Sequence, residues 1–489
     1  MPQLKRRTLL RALGTLGVAG LAGPLLTACG STGTASGATS QSASASSAAS
    51  SPSSLAAAKS SPAAASSQAA SSPSSVAPAG STPAKQAGTV RAWMPLDAFS
   101  LTTGVGAELM PGFLAEHPGL TLDAIVESSM EKYKTQVAGG TPPDFNCTQS
   151  YPATTWGVTG VVQALDGYVA KSQYVKPADI WKYKWDEIVW KGKAYAVPFG
   201  NTAWVLWGND DLYQRAGLDT QKLPATWSDL EAAVGKTAVV GGDKQLQQLG
   251  FDPFGGSGGR NQWLVPFWQI GGNFTSSDGT KVDIANDKGV TSLEWTAKLY
   301  DLQGGYDAVA KFTKDAGKGN GVQLFVDSHA ASAYATTATK SQYNLASISQ
   351  LKYSVVKYPL PPNGQDATYA GGYGICIGNG AKNPDGAFAL MDYLFKPDVQ
   401  LKWNTAQLRI PSSISVANQL ASTQNDPLVK LSVESMANGR FVPSVPGSEQ
   451  LLPIYGDAIL SVLQKKLTAQ AALTDAQNRC QMELDKYLK

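Results

Sequence analysis

From Gly88 onward, short runs of alternating apolar residues are separated by stretches whose apolar positions recur at intervals of three and four. Thr89 to Trp93 has the two-residue period of a strand ending in a loop. Ala107 to Glu116 sets Leu109, Met110, Phe113 and Leu114 on one side, as an amphipathic helix does, but Pro111 and Gly112 argue for a break inside it. Leu120 to Val126 alternates again. Met130 to Ala138 reads as a helix that stops at Gly139-Gly140, with prolines just beyond, before a strand begins near Phe145. This β-α-β-α-β order predicts an α/β fold with a mostly parallel sheet, and such sheets bind ligands at the carboxyl ends of their strands. The loops after Trp93, Val126 and Cys147 are therefore expected to border the crevice.

The chain before Gly88 has a different pattern. Lys5 to Arg11 is basic, and Ala12 to Leu26 is apolar and uncharged, about the length of a signal-peptide core and short of a membrane span. The pair Arg6-Arg7 resembles a twin-arginine export signal, with an ordinary secretory signal as the alternative. Leu26-Thr27-Ala28-Cys29 resembles the lipobox of bacterial lipoproteins, which implies a signal peptide over 1–28 and Cys29 as the lipidated N-terminus on the outer face of the cytoplasmic membrane. Residues 29–87 are almost wholly Ser, Ala, Pro, Gly and Thr, too polar and small to offset chain entropy by burial. They read as a tether spanning roughly 40 Å, or as a glycosylated stalk of the same mechanical effect.

Composition narrows the function classes. At 489 residues and 43% hydrophobic, the chain has material for two to four domains. Its 40 basic and 37 acidic residues are nearly balanced, and Lys5, Arg6, Arg7 and Arg11 account for the excess, so no nucleic-acid surface is expected. Only His117 and His329 are present, and the cysteines form no C-x-x-C pair, so neither a metal site nor a cofactor is expected. Twelve tryptophans are many.

The ordered motifs AGGTPPDFN (138–146), TGVVQALDGYV (159–169), WKGKAYAVPFGNTAWVLWGNDDLYQRAGLD (190–219) and LPATWSDL (223–230) resemble the extracellular solute-binding proteins (family 1) of bacterial carbohydrate ABC transporters, of lipoprotein type. WQIGGNF, VVKYPLPPNG, AGGYGICIGNGAKNPDGAFALMDYLF and LRIPSS continue the series, so the resemblance covers nearly all of the body. It implies a two-lobe, type II periplasmic-binding-protein-like α/β fold, with lobe 1 over 88–198 and 372–412 and lobe 2 over 199–371 and 413–489. Three crossovers, near Pro198 to Asn201, Ala370 to Gly372, and Pro411, join the lobes and the ligand lies between them. The implied function is a monomeric, non-enzymatic receptor that hands a sugar or oligosaccharide to a membrane permease.

Sugars present C–H faces that pack on aromatic rings and hydroxyls that need amides, carboxylates or arginine in place of water. On crevice loops and crossovers, the expected ligand residues are Trp93, Asp97, Glu127, Gln149, Tyr151, Asn201, Trp204, Trp263, Tyr373 and Arg409. Trp156 falls where the family has a buried aromatic. Other motifs have structural readings: Thr226 with Asp229 has the spacing of a helix capping box, and Asp210 to Ala216 reads as a short helix stopped by Gly217. Cys147 and Cys376 would lie on neighbouring strands of the family fold, as a disulfide or as two buried thiols.

Two other readings share these residues. The same architecture binds polyamines, through acids and aromatic cages, or anions, through arginine and helix N-termini. A secreted hydrolase would use Ser257 in Gly255-Gly256-Ser257-Gly258-Gly259 with His329 downstream, but Pro253 interrupts the strand that such a nucleophile requires.

Overall fold

A computed structural model describes residues 87–489, apart from 97–98, 244, 257–258 and 343–344 and the side chains of 342 and 345–347. The export signal, Cys29, the tether, Asp97 and Ser257 thus lie outside the described residues. Two five-stranded sheets organise the rest. In chain order their strands are β1 (Gly88–Met94), β2 (Leu120–Val126), β3 (Phe145–Gln149), β4 (Val197–Asn201), β5 (Val205–Asn209), β6 (Val239–Val240), β7 (Leu246–Phe251), β8 (Ala330–Ala335), β9 (Tyr353–Val356) and β10 (Gly372–Ile377).

The first sheet has the order β2-β1-β3-β10-β4. β1 pairs in parallel with β2 and β3, as the alternating pattern predicts. β10 arrives from far along the chain and inserts antiparallel between β3 and β4. β4 stays in this sheet as far as Asn201, past the Pro198 boundary drawn from the motifs, because its last residues still pair with Gly372 and Tyr373. The second sheet has the order β9-β5-β8-β7-β6, and only β7 and β8 run parallel there.

The principal helices are α1 (Gly104–Glu116), α2 (Met130–Ala138), α3 (Trp227–Thr237), α4 (Asp287–Asp301), α5 (Pro384–Leu394), α6 (Pro397–Ala406), α7 (Ser448–Leu463) and α8 (Ala469–Leu488). The break expected in α1 does not occur: the helix runs through Pro111 and buries Val105, Leu109, Met110 and Phe113 against the first core. Packing of that apolar face outweighs the roughly 3 kcal/mol penalty of an internal proline. The capping box at α3 forms as its spacing predicts, with Thr226 Oγ1 accepting from Asp229 N at 3.1 Å and Asp229 Oδ2 accepting from Thr226 N at 3.0 Å. Residues 210–215 form the expected short helix, capped by Asn209 and followed by Gly217 at φ +70°. Asp144 of the PPD motif is also architectural. Its carboxylate accepts from Arg91 N and Asn383 N at 2.9 and 2.8 Å, tying β1 to the start of α5.

Each sheet has its own core. Phe145, Ile375, Leu390 and Trp403 belong to the first, and Trp207, Phe251, Leu293 and Tyr455 to the second. α7 and α8 join the second core, where Gln477 Oε1 accepts from Ile284 N and Ala285 N at 2.9 Å. Cys147 and Cys376 lie on the adjacent strands β3 and β10 and are free thiols. Cys147 is opposite Ile375 and Cys376 opposite Asn146, so strand alternation sends the two sulfurs to opposite faces of the sheet. Among the described residues, no helix is long and apolar enough to cross a membrane.

Candidate functional site

Three chain segments run side by side where the sheets meet. Asn201 and Ile410 exchange backbone hydrogen bonds at 2.8 Å, Thr202 N donates to Gly371 O at 2.9 Å, and Trp204 N donates to Tyr369 O at 3.0 Å. Gly371 and Gly372 allow this approach: a Cβ at Gly372 would stand 2.6 Å from Asn201 Oδ1, and one at Gly371 would stand 2.5 Å from the Phe441 ring. Beside this strip lies a cavity of about 440 Å³. Leu96 and Tyr151 reach it from the loops after β1 and β3, Gln149 from the end of β3, Thr202 and Trp204 from the β4–β5 segment, and Tyr369 and Tyr373 from around the start of β10. Arg409, Asn261, Phe441 and Leu452 complete much of the wall.

Aromatic rings hold one another in place around this space. Tyr369 meets Phe441 edge-on at 5.0 Å and Trp204 at 6.2 Å, and Phe99 meets Tyr373 edge-on at 4.6 Å. The Tyr334 hydroxyl lies 2.9 Å from Thr368 Oγ1 and accepts from Tyr369 N at 3.1 Å, which fixes the backbone that carries Tyr369. Below the loop after β3 is a buried polar group: Lys184 Nζ pairs with Glu187 Oε2 at 2.5 Å, and Ser150 Oγ lies 3.1 Å from that Nζ and 3.1 Å from Gly372 O. This group braces Gln149 and Tyr151 from behind.

The structure brings five of the sequence-predicted residues to the cavity: Gln149, Tyr151, Trp204, Tyr373 and Arg409. It places four elsewhere. Trp263 is fully buried in the second core, stacked on Phe267 at 5.0 Å with its Nε1 donating to Ser292 Oγ. Trp93 packs behind the first sheet against Tyr133 at 6.1 Å. Asn201 is buried in the strip of crossing segments, where its Nδ2 donates to Ser412 Oγ at 2.9 Å. Glu127 accepts from Ser128 N and Ser129 N at 2.9 Å and pairs with Lys132 at 2.8 Å, contacts that hold its carboxyl below the usual range. Asp97 lies outside the described residues. Trp156 is buried as expected, and its Nε1 donates to Glu449 Oε2 of α7 at 3.2 Å.

Sequence reasoning missed Thr202, Asn261, Tyr369 and Phe441. Thr202 lies between two selected positions, Asn201 and Trp204, and alternation along the strip could have found it. Phe441 had no local signal, because only the parallel pairing of residues 368–369 with 439–440 carries it to the wall. At the glycine-rich loop, β7 ends at Phe251, and Asp252 accepts from Phe254 N and the Tyr300 hydroxyl, whereas Ser257 lies outside the described residues. The arrangement is a recess walled by aromatic rings and polar side chains.

Known proteins agree with this architecture. A binding protein of Brucella abortus (strain 2308) is 24% identical over 404 residues, covering 80% of this chain and 92% of its own length. The sn-glycerol-3-phosphate-binding periplasmic protein of Escherichia coli (strain UTI89) is 22% identical over 323 residues, covering 61% of this chain and 69% of its own. The solved sugar-binding protein of Xanthomonas citri superposes with a TM-score of 0.68 at 20% identity, covering 82% of this chain and 98% of its own, and shares the two-lobe fold. Residues 100–401 match the bacterial extracellular solute-binding proteins, so the chain belongs to that family, whose members are binding proteins and not enzymes.

Proposed function

We propose that this protein is a lipid-anchored extracytoplasmic receptor that captures a sugar or oligosaccharide between its lobes and delivers it to the permease of an ABC transporter. The observation that carries this reading is the wall itself: tyrosine, tryptophan and phenylalanine faces beside Gln149, Asn261, Thr202 and Arg409. Rings suit the apolar faces of a sugar, while amides and a guanidinium replace the water on its hydroxyls. The lobes are assigned as 88–201 with 372–412 and 202–371 with 413–489, the first boundary moved from Pro198 to the end of β4. Cys29 is the acylated residue after twin-arginine export, residues 29–87 form the tether, and the receptor acts as a monomer.

The polyamine reading loses support at the same wall. A bound polycation needs carboxylates, and no Asp or Glu is found among the described lining residues. A thermal-shift screen of the purified full chain against mono- and oligosaccharides, polyamines and amino acids tests the reading. A ligand at about 100 times its dissociation constant adds about 2.7 kcal/mol of stability, a readily measured rise in Tm. A response to polyamines alone, or to no sugar, would overturn it. Cys29→Ala should move the protein from the membrane to the soluble fraction, and retention on the membrane would overturn the anchor.

A further inference from the structure

The carbohydrate reading leaves the ligand's charge open, and Arg409, on which the following inference builds within that reading, bears on it. Arg409 follows α6, lines the cavity, and is only 8% exposed. Its backbone N–H donates to Asn404 O at 2.9 Å. Its guanidinium carbon lies 5.5 Å from the ring centres of both Phe99 and Tyr373. These rings hold the group in place but provide no formal negative charge.

No acid is paired with it either. Arg91, Arg260 and Arg479 each sit beside an aspartate, whereas no ion pair forms at Arg409 among the described residues. The buried Glu187, below the loop after β3, is already taken by Lys184. The described wall thus holds one formal cation and no carboxylate. Burial pulls the Arg409 pKa down, in keeping with a charge that has lost water without gaining a counter-charge. Such a group is costly in the empty site and becomes favourable when a ligand brings the opposite charge. A guanidinium fork offers two parallel N–H donors, the geometry that matches the paired oxygens of a carboxylate or phosphate.

We propose that the captured carbohydrate carries an anionic oxygen group, either a carboxylate as in a hexuronate or a phosphate ester, and that Arg409 receives it. The two flanking rings keep the guanidinium ordered before binding, so little side-chain freedom is lost when the anion arrives.

Calorimetric titration of the purified full chain tests this with glucuronate and galacturonate, glucose 6-phosphate, and the neutral parents glucose and galactose. At least one anionic sugar should bind about tenfold or more tighter than its neutral parent, as expected for a charge-assisted bidentate contact. Comparison of the uronate and phosphate arms identifies the group. Arg409→Gln should abolish that preference, costing the anionic sugar at least about tenfold more affinity than its neutral parent, and Arg409→Lys should keep part of it because the charge remains. If Arg409→Gln does not fold, the wild-type comparison and Arg409→Lys still decide the matter. Neutral parents binding as tightly as the anions, or Arg409→Gln weakening both classes alike, would overturn the inference and leave the carbohydrate receptor standing. Failure of every sugar, charged or neutral, would overturn both.

Discussion

Lys184→Met probes the polar group behind the cavity, and its effect can be worked out from the structure. The Lys184 and Glu187 side chains are 0% and 1% exposed, and their charged atoms are 2.5 Å apart. At an effective dielectric constant near 20, attraction at that distance is roughly 7 kcal/mol. Removing each ion from water costs several kcal/mol, so the intact pair contributes little net stability. Taking away the ammonium alone is different, because Glu187 keeps its desolvation penalty with only the hydrogen bond from the Ser150 hydroxyl to offset it. Lys184→Met should therefore destabilise the fold by about 3–5 kcal/mol, whereas Lys184→Met with Glu187→Leu should recover most of the loss. The assay is urea unfolding at pH 7 followed by tryptophan fluorescence on the wild type, both single variants and the double variant. A coupling energy below about 1 kcal/mol would refute the argument, since the two charges would then not depend on each other.

Trp204→Ala should weaken ligand binding about tenfold or more, because truncating a central aromatic anchor commonly costs at least about 1–2 kcal/mol, and an unchanged dissociation constant in calorimetry would remove Trp204 from the site. Cys147, Cys376 and Cys480 should resist a thiol reagent at pH 8 in the folded protein and react fully in denaturant without reductant. All three are buried, and burial pushes the Cys376 and Cys480 thiols up to about 11 and about 12. A mass lower by two hydrogen atoms in the non-reduced chain would instead reveal a disulfide. Burial also raises the Glu449 carboxyl above its ordinary value of 4.5, with Lys134 and the Trp156 N–H pulling the other way. A carboxyl raised on folding contributes stability below its unfolded pKa and loses that contribution as pH rises through its folded pKa. Glu449→Gln should thus flatten the fall in Tm as pH rises from 4.5, and an unaltered Tm–pH profile would contradict this role.

Much of the local structure was legible in pattern. The glycine stop at Gly139 and the capping pair Thr226 and Asp229 are satisfied by neighbours a few residues away, and the alternation of Thr89 to Trp93 and Leu120 to Val126 follows from the two faces of a strand, so sequence alone specifies them. Tertiary structure decided what depends on distant partners. Pro111 stays within α1 because the core beneath it compensates, and the antiparallel insertion of β10 separates Cys147 from Cys376 by strand register. Trp204 and Trp263 look alike as tryptophans in apolar surroundings, yet one lines the cavity and the other is sealed in the second core. Gln149, Tyr151, Tyr373 and Arg409 were traceable because they follow strands or occupy crossing segments, positions that the fold class places near the crevice. Phe441 and Asn261 were not. Their place at the wall comes from long-range packing between segments far apart in the chain, and no period of two or 3.6 residues encodes such a contact.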